Sequence, residues 1–186
     1  MINIKKNNTF CNEHTDFLKE KLEKIKKNII KKDNLDSDSK ECLKYINSNL
    51  KKILESDINN IKKIIKYFNI NFPSLTKKYI DNESKPPIYI LVFNIFVERG
   101  YDNYLSKIYE EKQIDGKKTK VEKDYHSYKF VKNLGIKTCP YCNRNYISFV
   151  KNDEKQTRPQ LDHFYPKAIY PFLACSFYNF IPSCSA

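Results

Sequence analysis

Cys139-Pro140-Tyr141-Cys142, Leu161-Asp162-His163-Phe164-Tyr165-Pro166-Lys167 and Asn179-Phe180-Ile181-Pro182-Ser183-Cys184 follow one another in a short stretch near the end of the chain. Two cysteines separated by two residues form a tight knuckle that can give two thiolates to one Zn²⁺, and a closed tetrahedral site takes further ligands from a second, distant turn. Reactive dithiols share the spacing, so the pair by itself is ambiguous. Cys184, following Ile181-Pro182-Ser183, supplies the second turn and favours a structural metal site of Cys139, Cys142 and Cys184. Cys175 is the alternative ligand, but Phe172-Leu173-Ala174-Cys175 reads better as buried apolar chain. Cys11 and Cys42 fall within helical patterns and read as core residues.

Working outward, Tyr125 to Leu134 predicts a short helix that Gly135 ends at the left-handed position. Asp115-Gly116 lies in a charged stretch that reads as an exposed loop. Upstream, Pro87 at a first helical position and the length of the run through Glu98 predict a buried helix over Ile88-Tyr89-Ile90-Leu91-Val92-Phe93, although its β-propensity also suits a strand. Pro73 and Pro86-Pro87 interrupt the middle of the chain, with helices restarting after each. Leu43, Ile46, Leu50, Ile53 and Leu54 form one apolar stripe, which Ile58, Ile61, Ile64, Ile65 and Phe68 continue after a break near Ser56-Asp57. Phe17, Leu18, Leu22, Ile25 and Ile29 mark an amphipathic helix between about Phe10 and Ile30. Asn34 to Ser39 is a polar turn in which Ser37, Asp38 or Ser39 would cap the next helix. The expected fold is therefore α+β and mainly α. A basic helical region, residues 1-134, would pack on a small C-terminal metal-stapled finger, residues 135-186.

The chain has 34 Lys+Arg against 22 Asp+Glu, a net charge of +12, which suits a polyanionic partner such as nucleic acid. Only Arg99, Arg144 and Arg158 are arginines, and the chain is also rich in Asn and Ile, so compositional bias accounts for part of that charge. Met1-Ile2-Asn3-Ile4-Lys5-Lys6 does not open a signal peptide, and a reducing cytoplasm, where spaced cysteines more often bind metal than form disulfides, is the expectation. The longest apolar run, Ile88 to Val97, contains Asn94 and is about half the roughly 20 residues a membrane span needs, so no membrane partner is expected.

The three segments quoted at the start resemble, over residues 137–186, the HNH endonucleases (the ββα-metal or His-Me finger nucleases), and within them the zinc-stapled branch of Septu-type and retron-linked anti-phage systems. Asn94 to Lys107, with Gly100-Tyr101-Asp102, extends the likeness with less diagnostic residues. The resemblance implies a treble-clef-like finger and a metal-dependent nuclease in anti-phage defence. It makes His163 the general base toward water, Asp162 a ligand of a catalytic divalent ion such as Mg²⁺, and Asn179 the brace of the loop that carries His163. Zn²⁺ would be structural, DNA the substrate, and an ATPase a partner. Arg144, Arg158 and Lys167 flank the site and would contact phosphate. His14, on a polar helical face, and His126, after Tyr125 in a basic stretch, read as structural or exposed.

In that family a further cysteine and an Asn or His follow the position of Cys184, opening a last helix. The sequence stops at Ala186, so the expectation is a finger without its final helix and with little or no cleavage activity. The alternative is a non-catalytic zinc-knuckle protein that binds nucleic acid or a partner.

Overall fold

The structure is a computed structural model, which describes residues 8–30, 35–79, 84–147, 150–151, 156–157 and 159–184. It is mainly helical with three small antiparallel sheets, an α+β arrangement. Helix α1 (Asn8–Ile30) is followed by α2 (Ser37–Glu55) and α3 (Ile58–Asn71), which separate at Ser56-Asp57. Asp57 caps α3 by accepting the Asn60 backbone N–H at 2.9 Å. Asp36, rather than Ser37, Asp38 or Ser39, caps α2. Its backbone is extended and its carboxylate accepts the Ser39 N–H at 2.7 Å, the reach that an Asp just outside the first turn provides. Pro73 opens a 3₁₀ turn (Pro73–Thr76) and Pro87 opens α4 (Pro87–Phe93), where a missing N–H costs nothing.

Helix α4 runs on into a π-helical segment, Asn94–Leu105, whose wide turn brings Gly100 against the middle of the molecule. A Cβ added to Gly100 would lie 2.8 Å from Cys175 Sγ and 3.1 Å from Leu22 Cδ2, so only glycine fits between them. The segment ends at a lysine clamp: Lys123 Nζ donates to the Asn103 and Tyr104 carbonyls, each at 2.8 Å, and burial pulls its pKa down to about 8.

The stretch read as an exposed loop is a hairpin, β1 (Tyr109–Ile114) paired with β2 (Lys117–Glu122). Asp115 (φ 49°) and Gly116 (φ 75°) both occupy the left-handed region, as a two-residue hairpin turn of the primed type requires. Almost every residue of both strands is solvent-exposed. No core face exists to impose alternating apolar residues, which is why the strands left no pattern. Helix α5 (Ser127–Leu134) ends at Gly135 (φ 64°), as its sequence predicts. Short strands β3 (Val150–Lys151) and β4 (Gln156–Thr157) pair, and β5 (Gln160–His163) pairs with β6 (Phe180–Ser183).

One hydrophobic core runs through the helices and the β5–β6 hairpin, including Leu18, Ile46, Phe68, Phe96 and Phe130 together with Leu161, Phe172 and Phe180. Phe172 stacks on Phe68 of α3 at 3.8 Å between ring centroids. Polar contacts add directional ties: Tyr89 donates to the Ala168 carbonyl at 2.7 Å, Tyr101 to Leu161 at 3.0 Å and Ser176 to Ile53 at 2.6 Å. So small a hairpin cannot bury enough apolar surface by itself. The helical body supplies what it lacks. No helix among the described residues is long and apolar enough to cross a membrane.

His14 corrects the reading of α1. It is fully buried on the inner face of the helix, edge-on to Tyr125, Phe130, Phe177 and Phe180. A carbonyl only accepts, so Nε2 donates to Cys175 O at 2.8 Å, and Nδ1 accepts from the Tyr125 hydroxyl at 3.0 Å. Both partners lie more than a hundred residues away, beyond the reach of local pattern. Burial pulls the His14 pKa down to about 4.

In the unfolded chain the same imidazole titrates near 6.5. Below that pH the unfolded state binds the proton that the folded state refuses. The His14 contribution is therefore intact above about pH 6.5 and is lost as pH falls toward 4, by about 3 kcal/mol in all. Denaturant midpoints should drop through this window. An NMR titration in which the His14 ring protonates above pH 6 would contradict the assignment.

Candidate metal and acid–imidazole site

The knuckle folds locally. Thr138 bridges Tyr146, Cys139 N–H donates to Asn145 O at 2.9 Å, and Asn143 N–H donates to Cys139 O at 2.9 Å, with Asn143 in the left-handed conformation that asparagine tolerates. Cys184 follows β6 directly. The sulfurs of Cys139, Cys142 and Cys184 all lie within 4.8 Å of one another, and those of Cys142 and Cys184 are 3.9 Å apart. A tetrahedral ion with bonds of about 2.3 Å holds its sulfurs about 3.8 Å apart, so this donor set can hold a metal ion. The Cys142 and Cys184 N–H groups point at the Cys139 sulfur and hold its thiol at about 6, well below the usual range. A thiolate, the metal-binding form, is favoured at neutral pH. Cys175 is buried, its thiol donates to Phe96 O at 3.2 Å, and it stands apart from the cluster.

The β5–β6 hairpin joins this cluster to the acid–imidazole pair, with His163 opposite Phe180 and Asp162 opposite Ile181. Asp162 is exposed at the strand surface. Its Oδ1 accepts the His163 backbone N–H at 2.8 Å and its Oδ2 accepts the Tyr141 hydroxyl at 2.9 Å. Burial and the adjacent Asp162 carboxylate push the Tyr141 phenol up to about 12, so it remains a donor. Nothing in the sequence signals this bond from the middle of the knuckle to the carboxylate, since tyrosine between two cysteines carries no mark of its partner.

His163 is half-buried, with its ring 4.7 Å from that of Tyr101 and 5.1 Å from that of Phe180. Its Nε2 lies 3.0 Å from Ala174 O, which can only accept, so Nε2 carries the hydrogen and Nδ1 keeps a free lone pair. Burial pulls the imidazole below its ordinary pKa; the Ala174 carbonyl opposes that shift and the Lys167 charge adds to it. The ring is therefore neutral near pH 7, the form a proton acceptor needs.

Asn179 is fully buried and braces the loop that follows His163. Its Oδ1 accepts from Tyr165 N at 2.7 Å, and its Nδ2 donates to Tyr165 O and Leu173 O, each at 3.0 Å. The π-helical segment closes the other side. Lys167 Nζ donates to Asp102 Oδ1 at 3.0 Å and sits 4.7 Å over the Tyr101 ring, so the charge of Lys167 is engaged within the protein. Arg144 is exposed on the knuckle. Arg158 lies outside the described residues. His126 is buried and structural: its Nδ1 accepts the Tyr128 N–H at the start of α5.

Among the described residues the three cysteines are the only group of three or more metal-ligating side chains, so no second carboxylate or imidazole joins Asp162 in such a cluster. Compared with known proteins, this chain matches no family model, no curated protein and no solved structure.

Proposed function

We propose that the chain is a nuclease of the HNH type, hydrolysing phosphodiester bonds in nucleic acid, with DNA as its substrate and anti-phage defence as its setting. The single observation that carries this reading is the state of His163. One ring nitrogen is spent on a backbone carbonyl, the other keeps its lone pair, and the residue follows an exposed carboxylate that accepts its backbone N–H, on a hairpin that runs into a three-cysteine cluster. In the proposed reaction Nδ1 takes the proton of a water whose oxygen attacks phosphorus. The P–O3′ bond breaks and the leaving oxygen is protonated from solvent. Asn179 holds the 164–173 loop so that the Ala174 carbonyl and the ring keep their register. Cys139, Cys142 and Cys184 would hold a structural Zn²⁺ that fixes the knuckle, and with it Tyr141, beside Asp162.

A hard divalent ion would offset charge on the phosphoryl and leaving oxygens. Mg²⁺ keeps several waters and commonly takes one or two carboxylates together with substrate phosphate oxygens. Asp162 is one such carboxylate, and it suits an ion that binds together with the substrate rather than ahead of it. The same observation favours a second reading, a zinc-knuckle protein that binds nucleic acid without cutting it, because both Asp162 oxygens already accept hydrogen bonds.

Oligonucleotide cleavage with protein in excess and Mg²⁺ or Mn²⁺ present separates the two. The nuclease reading expects cleavage that falls by about 10²- to 10⁴-fold in His163→Ala, with zinc content and fold unchanged. Tight binding with no cleavage by either protein would leave only the second reading, and equal cleavage by both would overturn the role of His163.

A further inference from the structure

Exposed aromatic rings lie in the two segments that carry the cysteine knuckle and the acid–imidazole pair. Among the described residues four large aromatic side chains are exposed: Tyr109, Tyr141 (53%), Tyr146 (84%) and Phe164 (39%). Three of these belong to the knuckle or directly follow His163. Single exposed apolar residues are ordinary, but three exposed rings on two short segments tied together by the Tyr141–Asp162 bond suit a contact surface.

The local geometry explains how the rings are presented. Asp162 and Phe164 are exposed on either side of half-buried His163 at the end of β5. Tyr141 reaches the same carboxylate from the knuckle with its hydroxyl, which fixes the ring at the site's edge while more than half of it stays in solvent. Tyr146 projects from the bridge to Thr138 at the far end of the same knuckle. The neighbouring Lys137 and Arg144 are exposed cations. Rings interleaved with cations on an open surface are what an unpaired nucleic acid strand requires, because every base offers a face for stacking and the backbone follows the charge. A base inside a duplex offers its faces only to its neighbours.

We infer that Tyr141, Tyr146 and Phe164 form a stacking platform, and that the site takes single-stranded or locally unpaired nucleic acid in preference to intact duplex. This deepens the proposed function and rests on its nucleic-acid reading.

The test uses the full chain carrying His163→Ala, so that probes stay intact, and fluorescence anisotropy with a labelled oligo-dT of about 15 nucleotides and a hairpin duplex of matched length. The oligo-dT should bind more tightly than the duplex. Tyr146→Ala and Phe164→Ala should each weaken oligo-dT binding by about 5- to 150-fold, whereas Phe164→Trp, which keeps a ring, should retain it. Duplex binding should respond to neither ring. All three rings sit at the surface, and circular dichroism of each variant verifies that it is folded. Oligo-dT affinity unmoved by Tyr146→Ala and Phe164→Ala, or duplex bound more tightly than oligo-dT, would overturn the inference. His163-dependent cleavage without ring dependence would sink the platform alone, and ring-dependent binding without cleavage would sink the nuclease reading alone.

Discussion

Purified protein should carry close to one equivalent of zinc, and Cys139→Ser should lose it. Cys139 is the buried member of the sulfur cluster, with the N–H groups of Cys142 and Cys184 aimed at its sulfur. A serine hydroxyl stays protonated at neutral pH and is a poor ligand for a borderline-soft ion. Structural zinc in small fingers is bound by roughly 10–16 kcal/mol spread over four ligands, so removing one sulfur should weaken apparent affinity by on the order of 10²- to 10³-fold. The knuckle closes through a few short backbone bonds, to which a metal held by the three sulfurs would add, so chelation should loosen it. Tyr141 and its bond to Asp162 would go with it. Cys175→Ser should keep its zinc, because that thiol lies in the core and outside the cluster. The measurements are metal content by mass spectrometry and a melting curve with and without chelator. A folded, zinc-free wild-type protein would remove the basis for the zinc assignment.

The second large effect is expected at Asn179. This one buried amide satisfies the Tyr165 N–H, the Tyr165 carbonyl and the Leu173 carbonyl. Alanine strands the two Tyr165 groups and removes one of two bonds to the Leu173 carbonyl, which keeps the Ser176 N–H; at roughly 1–3 kcal/mol for each group left without a partner the total is about 2–6 kcal/mol. Domains of this size are stable by only about 5–15 kcal/mol, so Asn179→Ala should come close to unfolding the protein at room temperature. Asn179→Asp is a sharper probe. A carboxylate can still accept from Tyr165 N–H, yet it faces two carbonyls with no hydrogen to give and should be destabilising by a similar amount. Urea midpoints measure both. A loss below about 1 kcal/mol in each variant would show that the loop does not depend on the amide.

Much of the helical body was legible in the sequence because the signals are local. The apolar stripe from Leu43 to Phe68, its break at Ser56-Asp57, the proline starts and the Gly135 stop each depend on residues within one or two turns. The Cys139–Cys142 spacing is equally local, since a knuckle needs only one tight turn. The hairpin at 109–122 escaped because both of its faces are wet. The cap of α2 fell one residue before the expected set because Ser, Asp and Asp-like neighbours all suit the role and only the observed backbone decides among them. The roles of His163 and Asp162 were suggested by a resemblance and continue to rest on the proposal.

What the sequence determined by itself is the set of amphipathic helices, the places where the chain turns, and the pairing of a two-cysteine knuckle with a distant acid–imidazole dipeptide. Tertiary structure alone decided that His14 is buried rather than solvated, that Tyr101 and Phe180 wall the His163 ring, that Ala174 fixes its tautomer, and that Tyr141 ties the knuckle to Asp162. The physical reason is range. Periodicity and chelate spacing are written into neighbouring residues, whereas the state of a titratable group depends on burial and hydrogen-bond partners that only the packed core brings within reach.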